Sequence, residues 1–161
     1  MSLSKAFLFC RLERFPSTGV INSPNHPDEY PSSNNTRNTW MIQVERGLVL
    51  SLQFTAWDIS YSSFSLTTHS NEMCTDHLAI MDGDGTALMR KSCGSLKQGI
   101  ILEASSTMGK WNQLNGSTLP IVKTSRSNIV SLVFSAMSGS MDWTGWSVSW
   151  SAVTPGECQH V

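Results

Sequence analysis

The feature that most restricts this chain is a two-residue rhythm of apolar and polar side chains that recurs along its length. Successive side chains of a strand point to opposite faces, so alternation at this period marks half-buried strands. Trp40, Ile42 and Val44 fall on one face, against Met41, Gln43 and Glu45 on the other. Beyond the Arg46-Gly47 turn, Leu48, Leu50, Leu52 and Phe54 share a face. Leu78 and Ile80 continue the pattern as far as Asp82-Gly83-Asp84-Gly85, a run suited to a hairpin turn. Val130, Leu132 and Phe134 alternate with Ile129, Ser131 and Val133, and Trp146, Val148 and Trp150 alternate with Ser147, Ser149 and Ser151. Helical periodicity is almost absent. The expected fold is all-β, a sandwich of two antiparallel sheets, each with one dry and one wet face.

The 161 residues suit one domain. Charged residues are 14% of the chain, below the ~25% of an average soluble protein, and the net charge is −1. No electrostatic footprint for nucleic acid or an anionic membrane surface exists at that balance. No apolar run approaches the ~20 residues of a membrane span, so membrane insertion of this segment is not expected. Lys5 precedes a short apolar patch at Ala6-Phe7-Leu8-Phe9-Cys10, shorter than the ~7–15 residues of a signal-peptide core, so it reads as a remnant or a first strand. Ser, Thr and Asn carry most of the polarity, as in many glycosylated extracellular β proteins. The sequons Asn34-Asn35-Thr36 and Asn115-Gly116-Ser117 mark Asn34 and Asn115 as glycosylation candidates.

Two stretches break the alternation. Tyr61 to Met73 is a Ser/Thr-rich loop, and Gly94 to Leu119 reads as a longer one containing Trp111. Loops beyond ~12–15 residues are usually functional or disordered. The expected division is 1–14 as an extension or first strand, 15–153 as the domain with its long loop at 94–119, and 154–161 as a linker or tail. Four cysteines allow three pairings, and no Cys-x-x-Cys or His-x-x-x-His spacing suggests zinc. The histidines are His26, His69, His77 and His160. His77 stands beside Asp76, but nothing marks a serine as an activated nucleophile, so no enzyme is expected. Asp82-x-Asp84 lacks the closing glutamate of a calcium loop and reads as a turn. Among the tryptophans, Trp40, Trp146 and Trp150 fit the core. Trp57, Trp111 and Trp143 lie at strand ends or in loops, where an aromatic either plugs the sandwich or serves an interface.

Several segments together resemble the CUB domain, a module of secreted proteases, complement components and receptor ectodomains. Gly19-Val20-Ile21-Asn22-Ser23-Pro24-Asn25-His26-Pro27 with Glu29-Tyr30-Pro31 is similar to the family's opening. Trp40-Met41-Ile42, Leu52-Gln53-Phe54 and Trp57-Asp58-Ile59 resemble its next strands. Cys74-Thr75-Asp76-His77-Leu78-Ala79-Ile80 and Cys93-Gly94 resemble its second cysteine pair, and Thr144-Gly145-Trp146 its closing Gly-Phe. The resemblance runs in order from about Gly19 to Val153. It implies a jelly-roll-like sandwich, a Cys74–Cys93 disulfide and an oxidising, extracellular setting, secreted or on a membrane protein's ectodomain.

Two departures accompany it. The family's first bridge would join a cysteine near Cys10 to position 38, which here is Asn38. The calcium acids of many relatives would fall at Ser60, Asp76 and about Met137, so only Asp76 is retained, with Asp142 or Glu72 as stand-ins. Calcium takes six to eight oxygen ligands, several of them carboxylates, so the ion is disfavoured as a cofactor. The expected function is a non-catalytic extracellular module within a larger protein. It would bind a protein partner through a loop edge carrying Trp57, Asp76, Asp142 and Trp143, with Trp111 as a further candidate. The alternatives are a glycan-binding sandwich using Trp111 and Trp143, or a domain steering substrate to a protease in its parent chain.

Overall fold

The computed structural model describes residues 16–32, 36–62, 73–106, 110–114 and 121–155. Its strands are β1 (Thr18–Asn22), β2 (Thr36–Gln43), β3 (Val49–Ile59), β4 (His77–Asp82), β5 (Ala87–Ser95), β6 (Ile100–Ala104), β7 (Trp111–Leu114), β8 (Ile121–Thr124), β9 (Ile129–Ala136) and β10 (Gly145–Val153). Among the described residues the sole helical element is the single 3₁₀ turn Leu96–Gln98. All pairings are antiparallel, in the order β1-β10-β3-β5-β4-β9-β2, with β8 on β3 and β6-β7 extending from β5.

The sheet curls into two layers. One layer holds β1, β10, β3 and β8; the other holds β2, β9, β4 and β5 with its β6–β7 arm. They join where Asp58 and Ile59 of β3 pair with Ser95 and Gly94 of β5. The core fills the space between them. Trp146 of β10 is fully buried and meets Trp40 of β2 edge-on at 5.2 Å and Phe134 of β9 at 5.9 Å. Leu50, Leu52, Phe54, Leu78, Ile80, Val130, Leu132 and Val148 complete it. The alternation thus selects the faces as expected: Ile42 and Val44 are buried, while Met41 is turned outward.

β3 departs from simple alternation. Ser147 pairs with Ala56 and Val148 with Phe54, which leaves Thr55 as an extra, exposed residue. Such a bulge inverts the facing of everything beyond it. Phe54, Trp57 and Ile59 therefore all point inward, although Phe54 and Trp57 are an odd number of residues apart.

The expected long loop at 94–119 is corrected in its described parts. Gly94 and Ser95 finish β5, a 3₁₀ turn follows, and β6 and β7 form a hairpin. Gly99 in the left-handed region ends the 3₁₀ turn, so the chain can reverse into β6. The run Ile100-Ile101-Leu102-Glu103 is too short for alternation to reveal it. The Asp82–Gly85 turn forms as expected, with Gly85 N–H donating to Asp82 O at 3.0 Å and Gly85 in the left-handed region.

Candidate functional site

The loop edge is organised by two buried aspartates. The disulfide Cys74–Cys93, with Cα atoms 5.5 Å apart, fixes the approach to β4 against β5. Two residues later Asp76 turns inward and is wholly buried. Its Oδ1 accepts the backbone N–H groups of Met137 and Ser138, each at 2.7 Å. Its Oδ2 accepts Ser138 Oγ at 2.7 Å, Tyr30 Oη at 2.9 Å and, more distantly, Ser32 Oγ at 3.5 Å.

Tyr30 arrives from the proline-rich crossing after β1. Its N–H donates to Trp143 O at 3.0 Å, and its ring stands edge-on to Phe134 at 5.1 Å. Its hydroxyl accepts Ser60 N–H at 3.0 Å. Burial pushes the phenol well above its usual range; donation from Ser60 opposes this, and the nearby Asp76 and Asp58 charges reinforce it. Tyr30 therefore stays protonated and serves as a donor.

Asp58, from β3, anchors the other end of the same loop. Its Oδ2 accepts Thr144 N–H and Thr144 Oγ1, both at 3.0 Å, and its Oδ1 accepts Ser95 Oγ at 2.7 Å. Burial alone raises its carboxyl, but the Thr144 and Ser95 donors and the Lys97 ammonium outweigh that and hold it below the usual range. Gly145 beside Thr144 adopts φ +83°, and a Cβ there would collide with the Ser23 hydroxyl, which accepts Trp146 N–H at 2.9 Å. The Thr-Gly-Trp sequence thus clamps to Asp58, passes Ser23 and plugs the core in consecutive residues.

Between these anchors the loop from Met137 to Trp143 faces solvent. Met141 is 75% exposed and Met137 47%. Asp142 is exposed in the left-handed region, and Trp143 is half-buried edge-on to Tyr61 at 5.7 Å. The structure therefore brings Asp142 and Trp143 together on one edge. Trp57 does not belong with them. It is 2% exposed, stacked edge-on against Phe54 at 5.1 Å, and its indole N–H donates to Cys93 O at 3.3 Å. The bulge at Thr55 turned it inward, which corrects the expectation that it serves a partner. Trp111 stands half-buried on β7, at the end of the β5–β6–β7 arm, rather than on the β9–β10 loop. Asn34, Asn115, Cys10, Cys158 and Glu72 lie outside the described residues.

The residues around Asp76 do not fit calcium. The two Asp76 oxygens offer about four lone-pair positions, and five donors already point at them. Ser60 presents an N–H rather than a carboxylate, and Met137 does likewise. Among the described residues no group of three or more His, Cys, Asp and Glu could hold a metal ion. The described histidines are tied to backbone carbonyls: His26 Nδ1 to Thr144 O at 2.8 Å, His77 Nδ1 to Cys74 O at 3.3 Å. A carbonyl only accepts, so in each ring Nδ1 carries the hydrogen.

Tyr30, Ser32, Asp58 and Ser138 were not singled out as site residues from the sequence. Tyr30 and Asp58 stood in recognisable motifs that suggested no role, and Ser138 carried no local signal.

Comparison with known proteins agrees with this architecture. Rat cubilin is 31% identical over 138 residues, which is 85% of this chain and 3% of cubilin. Mouse tolloid-like protein 1 is 33% identical over 88 residues, 53% of this chain and 8% of that protein. The chain therefore spans only a small part of these relatives. Among solved structures, the CUB1-EGF-CUB2 domain of human MASP-1/3 superposes with a TM-score of 0.60 at 23% identity, over 86% of this chain and 43% of that one. The MASP-1 CUB2 domain, solved bound to Ca2+, gives 0.57 at 23% identity over 85% of this chain and 94% of that one. These likenesses are to the fold. The family model for the CUB domain matches residues 10–109. With that match over more than half its length, this chain belongs to the CUB domain family.

Proposed function

We propose that this chain is an extracellular, non-catalytic protein-interaction module, a domain spanning about 15–153 of a larger secreted or membrane-anchored protein. The observation that carries the reading is the loop from Met137 to Trp143. It is stapled at one end to Asp76 and at the other to Asp58, and between the staples it offers Met141 and Asp142 to solvent beside the half-buried Trp143. A pre-ordered loop loses little conformational entropy on binding, and an exposed Met beside a half-buried Trp supplies apolar contact area that interfaces favour. The Cys74–Cys93 bridge supports an oxidising compartment. The relatives support a module within a longer chain.

The test is a binding screen of the disulfide-intact domain against purified extracellular proteins, followed by variants. Trp143→Ala and Met141→Asp should each weaken the captured interaction by about tenfold or more, the loss expected of a contact worth over ~1.4 kcal/mol. Val122→Asp, at an exposed apolar position on β8, should leave it unchanged. Binding confined to a glycan array and lost in Trp111→Ala or Trp143→Ala would transfer the assignment to a sugar-binding sandwich.

A further inference from the structure

We propose that the hydrogen-bond knot around Asp76 is a metal-free replacement for a cation clip, so that the loop edge keeps its shape without calcium. The knot joins three stretches remote in sequence: Tyr30 and Ser32 after β1, Asp76 before β4, and Met137 to Ser140 after β9. A cation bridging such segments needs oxygens with lone pairs pointing inward. Here the groups converging on Asp76 are two backbone N–H groups and three hydroxyls.

The backbone N–H groups of Met137 and Ser138 can only donate. A hydroxyl could in principle turn its lone pairs toward an ion, but each of these three is already oriented by a backbone donor on its other side. Tyr30 Oη receives Ser60 N–H at 3.0 Å, Ser32 Oγ receives Gly139 N–H at 2.8 Å, and Ser138 Oγ receives Ser140 N–H at 3.1 Å. Each hydroxyl thus spends one lone pair on a backbone donor and keeps its O–H for Asp76, although Ser32 Oγ, 3.5 Å from Asp76, also lies 3.4 Å from Ser138 Oγ. The polarity of the whole knot is therefore set by backbone amides: N–H to hydroxyl, hydroxyl to carboxylate. A cation placed beside Asp76 would meet hydrogens, and admitting it would require breaking this relay at several points at once. The inference concerns the scaffold and does not depend on which partner the edge binds.

The decisive measurement uses the whole disulfide-intact chain and needs no partner. Amide hydrogen exchange at Met137 and Ser138, together with thermal unfolding, is followed in chelator and in excess calcium. Both amides should be protected in chelator, with protection and melting temperature unchanged by calcium. Ser138→Ala should speed exchange at both amides by ~10-fold, the loss expected when one hydrogen bond to a charged group is removed, equally in both media. Should that variant fail to fold, the wild-type comparison decides alone. Calcium that raises the wild-type melting temperature or creates protection absent in chelator, with either effect lost in Asp76→Asn, would overturn the proposal.

Discussion

β4 carries a buried aspartate at each end, and the two ends put it to different use. Before the strand, Asp76 gathers only neutral donors, from the crossing after β1 and the loop after β9. On its last residue, Asp82 accepts Gly83 N–H at 2.7 Å, Arg126 N–H at 2.7 Å, Ser127 N–H at 3.2 Å and the Ser127 hydroxyl, with the Arg126 guanidinium 4.0 Å away. Both carboxylates are saturated, so a buried aspartate is not in itself a mark of function here. What differs is the loop each one holds. The Asp82 end closes compact turns whose polar groups satisfy one another, including the Asp84–Thr86 and Arg126–Asp84 contacts. The Asp76 end holds a loop that turns Met141 and Asp142 outward.

The sharpest way to break this contrast is to remove each carboxylate. Asp76→Ala strands several buried donors at once, and each costs about 1–3 kcal/mol when unsatisfied, so a loss above ~3 kcal/mol is expected in denaturant unfolding. Removing the bridge by a double Cys74→Ser, Cys93→Ser change should cost about 3 kcal/mol, since it frees the closed loop in the unfolded chain and leaves β4 and β5 held by their backbone ladder alone. Asp82→Ala should cost less, about 2 kcal/mol, because its partners Arg126 and Ser127 lie in a turn that water can reach. Equal losses for the two aspartates would dissolve the comparison.

Acid unfolding resolves a smaller effect. For Asp82, burial raises the carboxyl, but the Ser127 hydroxyl and the Arg126 and Gly83 amides outweigh it, leaving it below its ordinary value, as Asp58 is. A group depressed in the folded state contributes stability that is fully present above its unfolded value, about 3.9, and is lost as pH falls toward the folded value. Stability should thus be flat in these two groups near neutrality and fall below about pH 4. Asp58→Asn and Asp82→Asn should each shallow that acid limb. Smallest of all, Arg126→Ala should cost under ~1 kcal/mol and show its effect mainly at low salt, because the guanidinium is largely exposed.

Much of the architecture is legible in the sequence. The Leu-Leu-Phe face of β3 and the Val-Leu-Phe face of β9 lie where period two puts them, while in β10 Trp146 and Val148 are buried as expected but Ser147 is buried with them and Trp150 only half-buried. The hairpin β6–β7 was not legible, because its strands are short and β6 opens on three consecutive apolar residues. Trp57 was placed wrongly for a different reason. The bulge at Thr55 is a property of pairing with β10, and nothing in the run Gln53 to Trp57 announces it.

The site divides along the same line. Asp76, the Cys74–Cys93 pair and the loop aromatics could be picked out as residues, since each sits in a short recognisable motif. Their partners could not. Tyr30 lies 46 residues from Asp76 and Ser138 lies 62 away, and only the curl of the sheet brings them within 3 Å. By itself the sequence determined strands, faces and turn chemistry, which depend on neighbours two to four residues apart. Tertiary structure alone decided which carboxylate meets which donor, which tryptophan turns inward and which loop is left facing water. Those outcomes depend on strand register and on contacts across the sandwich, and no local pattern encodes them.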